Sequence, residues 1–184
     1  MEKVKILTVG AGAVGAYFTG RLAQAGAEVS VVVRSDYDAV KANGFEIISE
    51  LGNFHFQPHG VYRSADEYPD TADYVFLTSK FFPETDEAAM LRGALKNSRT
   101  VLVLIQNGIG IEDQLAEAFP ETEILSSIAY IGATRLKPGV VRQKGASELK
   151  FGRFGGGASE AGRRLEKLFA ETDGVKASFV ENIA

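Results

Sequence analysis

The chain has 184 residues, 45% hydrophobic and 24% charged, with 20 Lys and Arg against 24 Asp and Glu. That length suits one α/β domain, and the absence of Cys excludes disulfides, thiolate metal sites and cysteine nucleophiles. The formal net charge of −4 gives no electrostatic reason to expect nucleic acid or an anionic membrane as a partner, and no membrane-spanning run or secretory signal is evident, so a soluble cytoplasmic domain is expected.

The 20 glycines are the outlier, and their positions carry the reading. Val4 to Val9 is a short apolar run rich in β-branched residues, and Gly10-Ala11-Gly12-Ala13-Val14-Gly15 follows it. Val14, Phe18, Leu22 and Ala25 then recur at helical spacing, Gly26 can stop that helix in a left-handed conformation, and Glu28 to Val33 is again strand-like. Strand, glycine turn, helix and strand thus fit within about 30 residues, the size of a βαβ unit. A GxGxxG alone is weak, but here the confirming context flanks it on both sides. Gly10 allows the tight turn, Gly12 lets the backbone approach a pyrophosphate, and Gly15 removes a side chain where helix and strand pack closely. The N–H groups at the helix start are then available to phosphates. Residue types at the end of the second strand separate the two common dinucleotides. An acidic residue there serves the ribose 2′-hydroxyl of NAD, whereas Arg34 stands at that place here, with Ser35 and Asp36 after it. A planar guanidinium suits a 2′-phosphate, so NADP(H) is favoured. The alternative is a solvated Arg34 with Asp36 reaching back.

Asp36 to Asn43 reads as a short helix or turn stopped by Gly44, and Phe45–Ile48 with Phe54–Gln57 as a hairpin around Glu50-Leu51-Gly52-Asn53. His55 and His59 are the only histidines and have no third ligand nearby, so a surface or turn location is expected rather than a zinc site. Asp73 to Lys80 is the next strand, and Pro83 can open a helix through Met90 to Leu95. Val101–Ile105 is a continuous apolar strand, as in a sheet covered on both faces, ending in Gln106-Asn107-Gly108. Ile111, Leu115 and Phe119 mark a further helix. Ile124–Ile131 is another strand, and Lys137-Pro138-Gly139 a turn before Val140-Val141. Phe151 to Ser159 reads as a flexible turn, Ser159 as the cap of a helix with apolar Ala161, Leu165, Leu168 and Phe169, and Ala177–Val180 as a last strand. Gly10–Gly15, Arg34, Lys80 and Asn107 all fall at carboxyl ends of strands, where open α/β sheets bind ligands. Lys80 alone would read as a surface cation and Asn107-Gly108 as an ordinary turn.

These residues, together with Gly132-Ala133-Thr134 before Pro138-Gly139-Val140-Val141, resemble the ketopantoate reductase family, the 2-dehydropantoate 2-reductases of pantothenate biosynthesis. The resemblance covers essentially the whole chain. It implies a Rossmann-type, doubly wound, mostly parallel sheet over residues 1–184, a single NADP-binding domain truncated before the family's helical substrate domain. It also implies NADPH contacts from Gly10, Ala11, Gly12, Ala13, Val14, Gly15, Arg34, Lys80, Asn107, Gly108 and Ala133. The family's catalytic lysine, substrate-binding asparagines and carboxylate belong to the helical domain, and none maps onto this chain. The implied reaction is hydride transfer from NADPH to the 2-keto group of 2-dehydropantoate, giving (R)-pantoate, with residues 1–184 alone expected to be inactive or nearly so. A related NADP-dependent 2-keto or hydroxy acid dehydrogenase and a non-catalytic NADP(H) sensor stay open as alternatives. The expected partner is a small 2-keto acid, with neither nucleic acid nor membrane, and a homodimer stays open.

Overall fold

In the computed structural model, which describes residues 2–106 and 110–183, alternation along the apolar strands decides the layering. β1 (Lys5–Val9) points Ile6 and Thr8 to one face and Leu7 and Val9 to the other, and all four are buried. On the Ile6 side lie Phe18 and Leu22 of α1 (Ala13–Gln24) and Leu165 and Phe169 of α5 (Glu160–Ala170). On the Leu7 side lie Leu91 of α3 (Glu87–Leu91) and Ile111 and Leu115 of α4 (Ile111–Ala118). The two apolar clusters are thus the two faces of one sheet, each covered by helices, as a doubly wound fold requires.

The central strands are β1, β2 (Glu28–Val32), β5 (Val61–Tyr62), β6 (Tyr74–Leu77), β7 (Val101–Leu104) and the start of β8 (Ile124–Lys137). They run parallel in the spatial order β5-β2-β1-β6-β7-β8. In that order the chain first winds outward from β1 and later returns to β6 beside it, so a crevice opens at the carboxyl ends of β1 and β6. β8 then pairs antiparallel with β9 (Val140–Arg153), the turn falling at Pro138-Gly139. β3 (Phe45–Ser49) pairs with the first part of β9, and β10 (Lys176–Phe179) with its last part. β4 (Phe54–Phe56) closes the β3 hairpin. α2 (Tyr37–Asn43) bridges β2 and β3, and ends at Gly44, whose φ of +70° is left-handed.

Three expectations change. The helix near Pro83 begins at Glu87, because the Asp86 carboxylate accepts from the Ala89 N–H at 3.0 Å and captures the start, and it ends at Leu91 rather than Leu95. The expected turn from Phe151 begins after Arg153, since Phe151 to Arg153 extend β9 and Phe151 pairs with Ser127. Finally, β8 continues through Lys137 instead of ending near Ile131, because β9 supplies backbone partners beyond a register shift at Ile131/Gly132, from Gly132 paired with Lys144 to Lys137 paired with Val140. The capped helix α5 is as expected, with the Ser159 hydroxyl accepting from the Gly162 N–H at 2.8 Å.

Candidate functional site

The crevice is a cavity of about 250 Å³ at the carboxyl ends of β1, β2 and β6. Its floor is the glycine turn. Gly10 has a φ of +76°, which disfavours any side chain, and its N–H and that of Ala11 both donate to the Val32 carbonyl at the end of β2. A Cβ on Gly10 would lie 2.3 Å from the Ser79 Cβ, so the turns after β1 and β6 touch. By contrast, a Cβ on Gly12 would meet nothing within 4 Å, which leaves the backbone accessible from the cavity that Gly10, Ala11 and Gly12 line. Gly12 is also the N-cap of α1 and offers no side chain to its N–H groups, so the first-turn donors at Ala13 and Val14 have no intrahelical acceptor. Gly15 serves packing: a Cβ there would sit 2.2 Å from Thr78 Oγ1 and 3.1 Å from Thr8 Cγ2. The Thr78 hydroxyl in turn donates to the Gly10 carbonyl at 3.0 Å, tying β6 to the glycine turn.

Arg34, exposed just past β2, and Lys80, exposed past β6, both line this cavity. Asp36, two residues from Arg34, does not reach back to it. Its carboxylate accepts from Arg135 Nη2 at 2.8 Å and Nε at 3.0 Å, and from the Gly139 N–H at 3.3 Å. The Arg135 guanidinium holds the Asp36 carboxyl below the usual carboxylate range, against the opposing effect of burial. Arg135 therefore stands in the cavity wall, and nothing local in its sequence marked it. The signal would have been the hairpin register, which brings a residue of β8 onto the start of α2.

Ala133 is on β8, two residues before Arg135 and paired with Gln143, while Ala13 and Val14 begin α1. Asn107 and Gly108 lie outside the described residues. Gln106, just before them, donates through Nε2 to the Ser79 carbonyl at 2.6 Å and to Glu87 Oε1 at 2.9 Å. It thereby braces the end of β6 against α3, and burial raises the Glu87 carboxyl above its ordinary range. His55 and His59 stand apart from the cavity: His55 Nε2 is 2.6 Å from the Asn43 carbonyl and His59 faces Glu28 at 3.6 Å. Among the described residues no group of three or more His, Asp or Glu side chains could hold a metal ion, and no helix is long and apolar enough to cross a membrane.

The arrangement can hold an elongated, polyanionic ligand: accessible backbone and helix N–H groups at the centre, cations at either side. Comparison with known proteins agrees with the Rossmann-like architecture. The family model described as "Ketopantoate reductase PanE/ApbA" matches residues 6–156. A 2-dehydropantoate 2-reductase of Nostoc sp. is 26% identical over 187 residues, covering all of this chain and 58% of that protein. The crystal structure of a 2-dehydropantoate 2-reductase from Methylococcus capsulatus superposes with a TM-score of 0.92 at 41% identity, over 98% of this chain and 58% of that one. A D-mandelate dehydrogenase solved with NADH and anilino(oxo)acetate gives a TM-score of 0.83 at 26% identity, again over 98% and 58%. The chain thus spans somewhat more than half the length of these relatives. The chain belongs to the ketopantoate reductase family.

Proposed function

We propose that the cavity binds NADP(H) and that the chain is the nucleotide-binding part of an NADPH-dependent reductase acting on 2-dehydropantoate to give (R)-pantoate. The observation that carries the cofactor assignment is the division of labour at the end of β2. Arg34 opens into the cavity, while the nearby carboxylate that could have served a ribose 2′-hydroxyl is bound to Arg135 and the Gly139 N–H. The residues fit the group on structural grounds as well, since the open space at Gly12 leaves room for a phosphate beside the first turn of α1.

In this reading the backbone from Gly10 to Gly12 and the N–H groups of Ala13 and Val14 hold the pyrophosphate, and Arg34 pairs with the 2′-phosphate. Lys80 adds a second cation at the neighbouring strand end. Asn107, Gly108 and Ala133 are assigned to the cofactor by family resemblance. The dinucleotide, when bound, supplies the hydride delivered to the 2-keto carbon. This chain's residues bind and orient it, and no side chain of residues 1–184 is assigned as the proton donor to the developing alkoxide. The NADH and anilino(oxo)acetate bound in the D-mandelate dehydrogenase structure favour one second reading, a related reductase of another 2-keto acid.

Calorimetric titration of the chain with NADPH and, separately, NADH tests the proposal. The expected result is tighter binding of NADPH, with the preference abolished by Arg34→Glu, which exchanges an attractive charge beside the 2′-phosphate for a repulsive one. Binding of neither dinucleotide by the folded chain would overturn it.

A further inference from the structure

Four charged side chains line the cavity: Arg34, Asp36, Lys80 and Arg135. The chemistry of the first three is ambiguous. Arg34 favours a phosphorylated ribose, yet a carboxylate two residues on would favour an unphosphorylated one and repel phosphate. The fold by itself does not decide, since the D-mandelate dehydrogenase of similar architecture is described with NADH.

Arg135 resolves the conflict. It comes from β8, 99 positions along the chain, and meets Asp36 with two nitrogens, Nη2 to Oδ1 at 2.8 Å and Nε to Oδ2 at 3.0 Å. The Gly139 N–H adds a contact to Oδ2 at 3.3 Å, and the Ser35 hydroxyl one to Oδ1 at the same distance. Both carboxylate oxygens are therefore committed to the hairpin, and the Asp36 side chain is only 12% exposed, against 46% for that of Arg135. Paired this way, the Asp36–Arg135 unit is neutral and leaves the cavity with the two charges of Arg34 and Lys80. Without Arg135 the same wall would carry a net charge of one and a free carboxylate facing the ligand.

We propose that Arg135 determines the dinucleotide preference of this cavity by sequestering the Asp36 carboxylate, so that Asp36 neither binds a ribose 2′-hydroxyl nor repels a 2′-phosphate. The inference rests on reading the cavity as a dinucleotide site. Arg135 acts through Asp36, as a positioning residue, and needs no contact of its own with the ligand.

The test is equilibrium binding of NADPH and NADH, read by nucleotide fluorescence or calorimetry, to the wild-type chain, Arg135→Leu, Asp36→Asn and the double variant. Arg135→Leu is expected to weaken NADPH by about tenfold or more, while NADH binding holds or tightens, because the freed carboxylate opposes a phosphate and can accept from a hydroxyl. Asp36→Asn breaks the same pair from the other side but removes the carboxylate, so the NADPH preference is kept or grows. The double variant restores the cavity's net charge and removes the carboxylate, and returns the preference to within about threefold of wild type. Thermal melts of the four proteins establish that each is folded. Equal weakening of both dinucleotides by Arg135→Leu would overturn the proposal in favour of a purely structural clasp. A double variant as poor in NADPH preference as Arg135→Leu would overturn it in favour of direct phosphate binding by Arg135. A wild-type chain that binds neither dinucleotide would overturn the site reading itself, and this inference with it, whatever the variants do.

Discussion

Replacing Gly15 by Ala sets two effects of opposite sign against each other. In the middle of a helix, Ala is favoured over Gly by about 1 kcal/mol. Gly15, however, lies in the first turn of α1 directly over the sheet, where the new Cβ would stand 2.2 Å from Thr78 Oγ1, 3.0 Å from Thr78 Cβ and 3.1 Å from Thr8 Cγ2. Neither threonine can turn aside freely. The Thr78 hydroxyl donates to the Gly10 carbonyl at 3.0 Å, and that of the fully buried Thr8 donates to Thr19 Oγ1 at 2.9 Å. Overpacking of this kind costs about 1–3 kcal/mol, and displacing the Thr78 hydrogen bond adds about 1 kcal/mol. The sum, less the helix-propensity gain, is a net destabilisation of about 2 kcal/mol, or a fall in Tm of roughly 4–8 °C for a chain of this size. Thermal and urea unfolding of the ligand-free protein measure it. The same substitution in a Thr78→Ala background should cost about 1 kcal/mol less, because the 2.2 Å contact is gone while the two contacts near 3 Å persist. An unchanged or raised Tm for Gly15→Ala would refute the reasoning, as would an equal cost in both backgrounds.

Two further outcomes follow from named contacts. Ser159→Ala removes the hydroxyl that accepts from the Gly162 N–H at 2.8 Å and donates to Glu123, and should lower stability by about 1–2 kcal/mol in denaturant unfolding. Glu87→Gln should stabilise the protein at neutral pH. Burial raises the Glu87 carboxyl above its ordinary value of 4.5, so the folded state binds the proton more tightly than the unfolded one. Stability is then lost as pH rises from 4.5 through the folded-state value. Gln does not titrate and keeps an oxygen for the Gln106 Nε2 donor 2.9 Å away, so the variant's advantage should open across that interval and vanish below it in unfolding curves taken as a function of pH. An advantage independent of pH would assign the effect to packing instead.

What was legible in the sequence is what short-range rules determine. The glycine turn with its flanking strands needs only alternation, helical spacing and the positions of three glycines. Those glycines separate cleanly in space: Gly10 by its left-handed φ, Gly12 by the open space around it, Gly15 by its contact with Thr78 and Thr8. The β3–β4 hairpin and the Ser159 cap are equally local. Errors arose where two local signals competed or where pairing partners were distant. Pro83 and Asp86 both suit a helix start, and the carboxylate bonded to the Ala89 N–H prevails. Thr134 to Lys137 is polar and largely exposed, so alternation cannot reveal a strand there. It is one because β9 supplies its backbone partners from Arg142 to Val140.

The same limit explains why the cavity's charge balance could not be read in advance. Arg34 and Asp36 are two positions apart, and every rule applied to the end of β2 treats them as rivals for one ribose. The Asp36 carboxylate is engaged by a guanidinium 99 residues later, on a hairpin whose register is irregular between Arg135 and Lys137. That irregularity has a geometric consequence, because side chains alternate across a strand and a shift of one residue exchanges the two faces. Arg135 pairs with Val141, whereas Lys137 pairs with Val140, so two steps along β8 match one step along β9. The turn that follows presents the Gly139 N–H to the same carboxylate oxygen that accepts from Arg135 Nε. Bulge, turn and guanidinium therefore act on Asp36 together. A change in hairpin length between Arg135 and Gly139 would displace both donors at once and release the carboxylate without altering any residue at the end of β2.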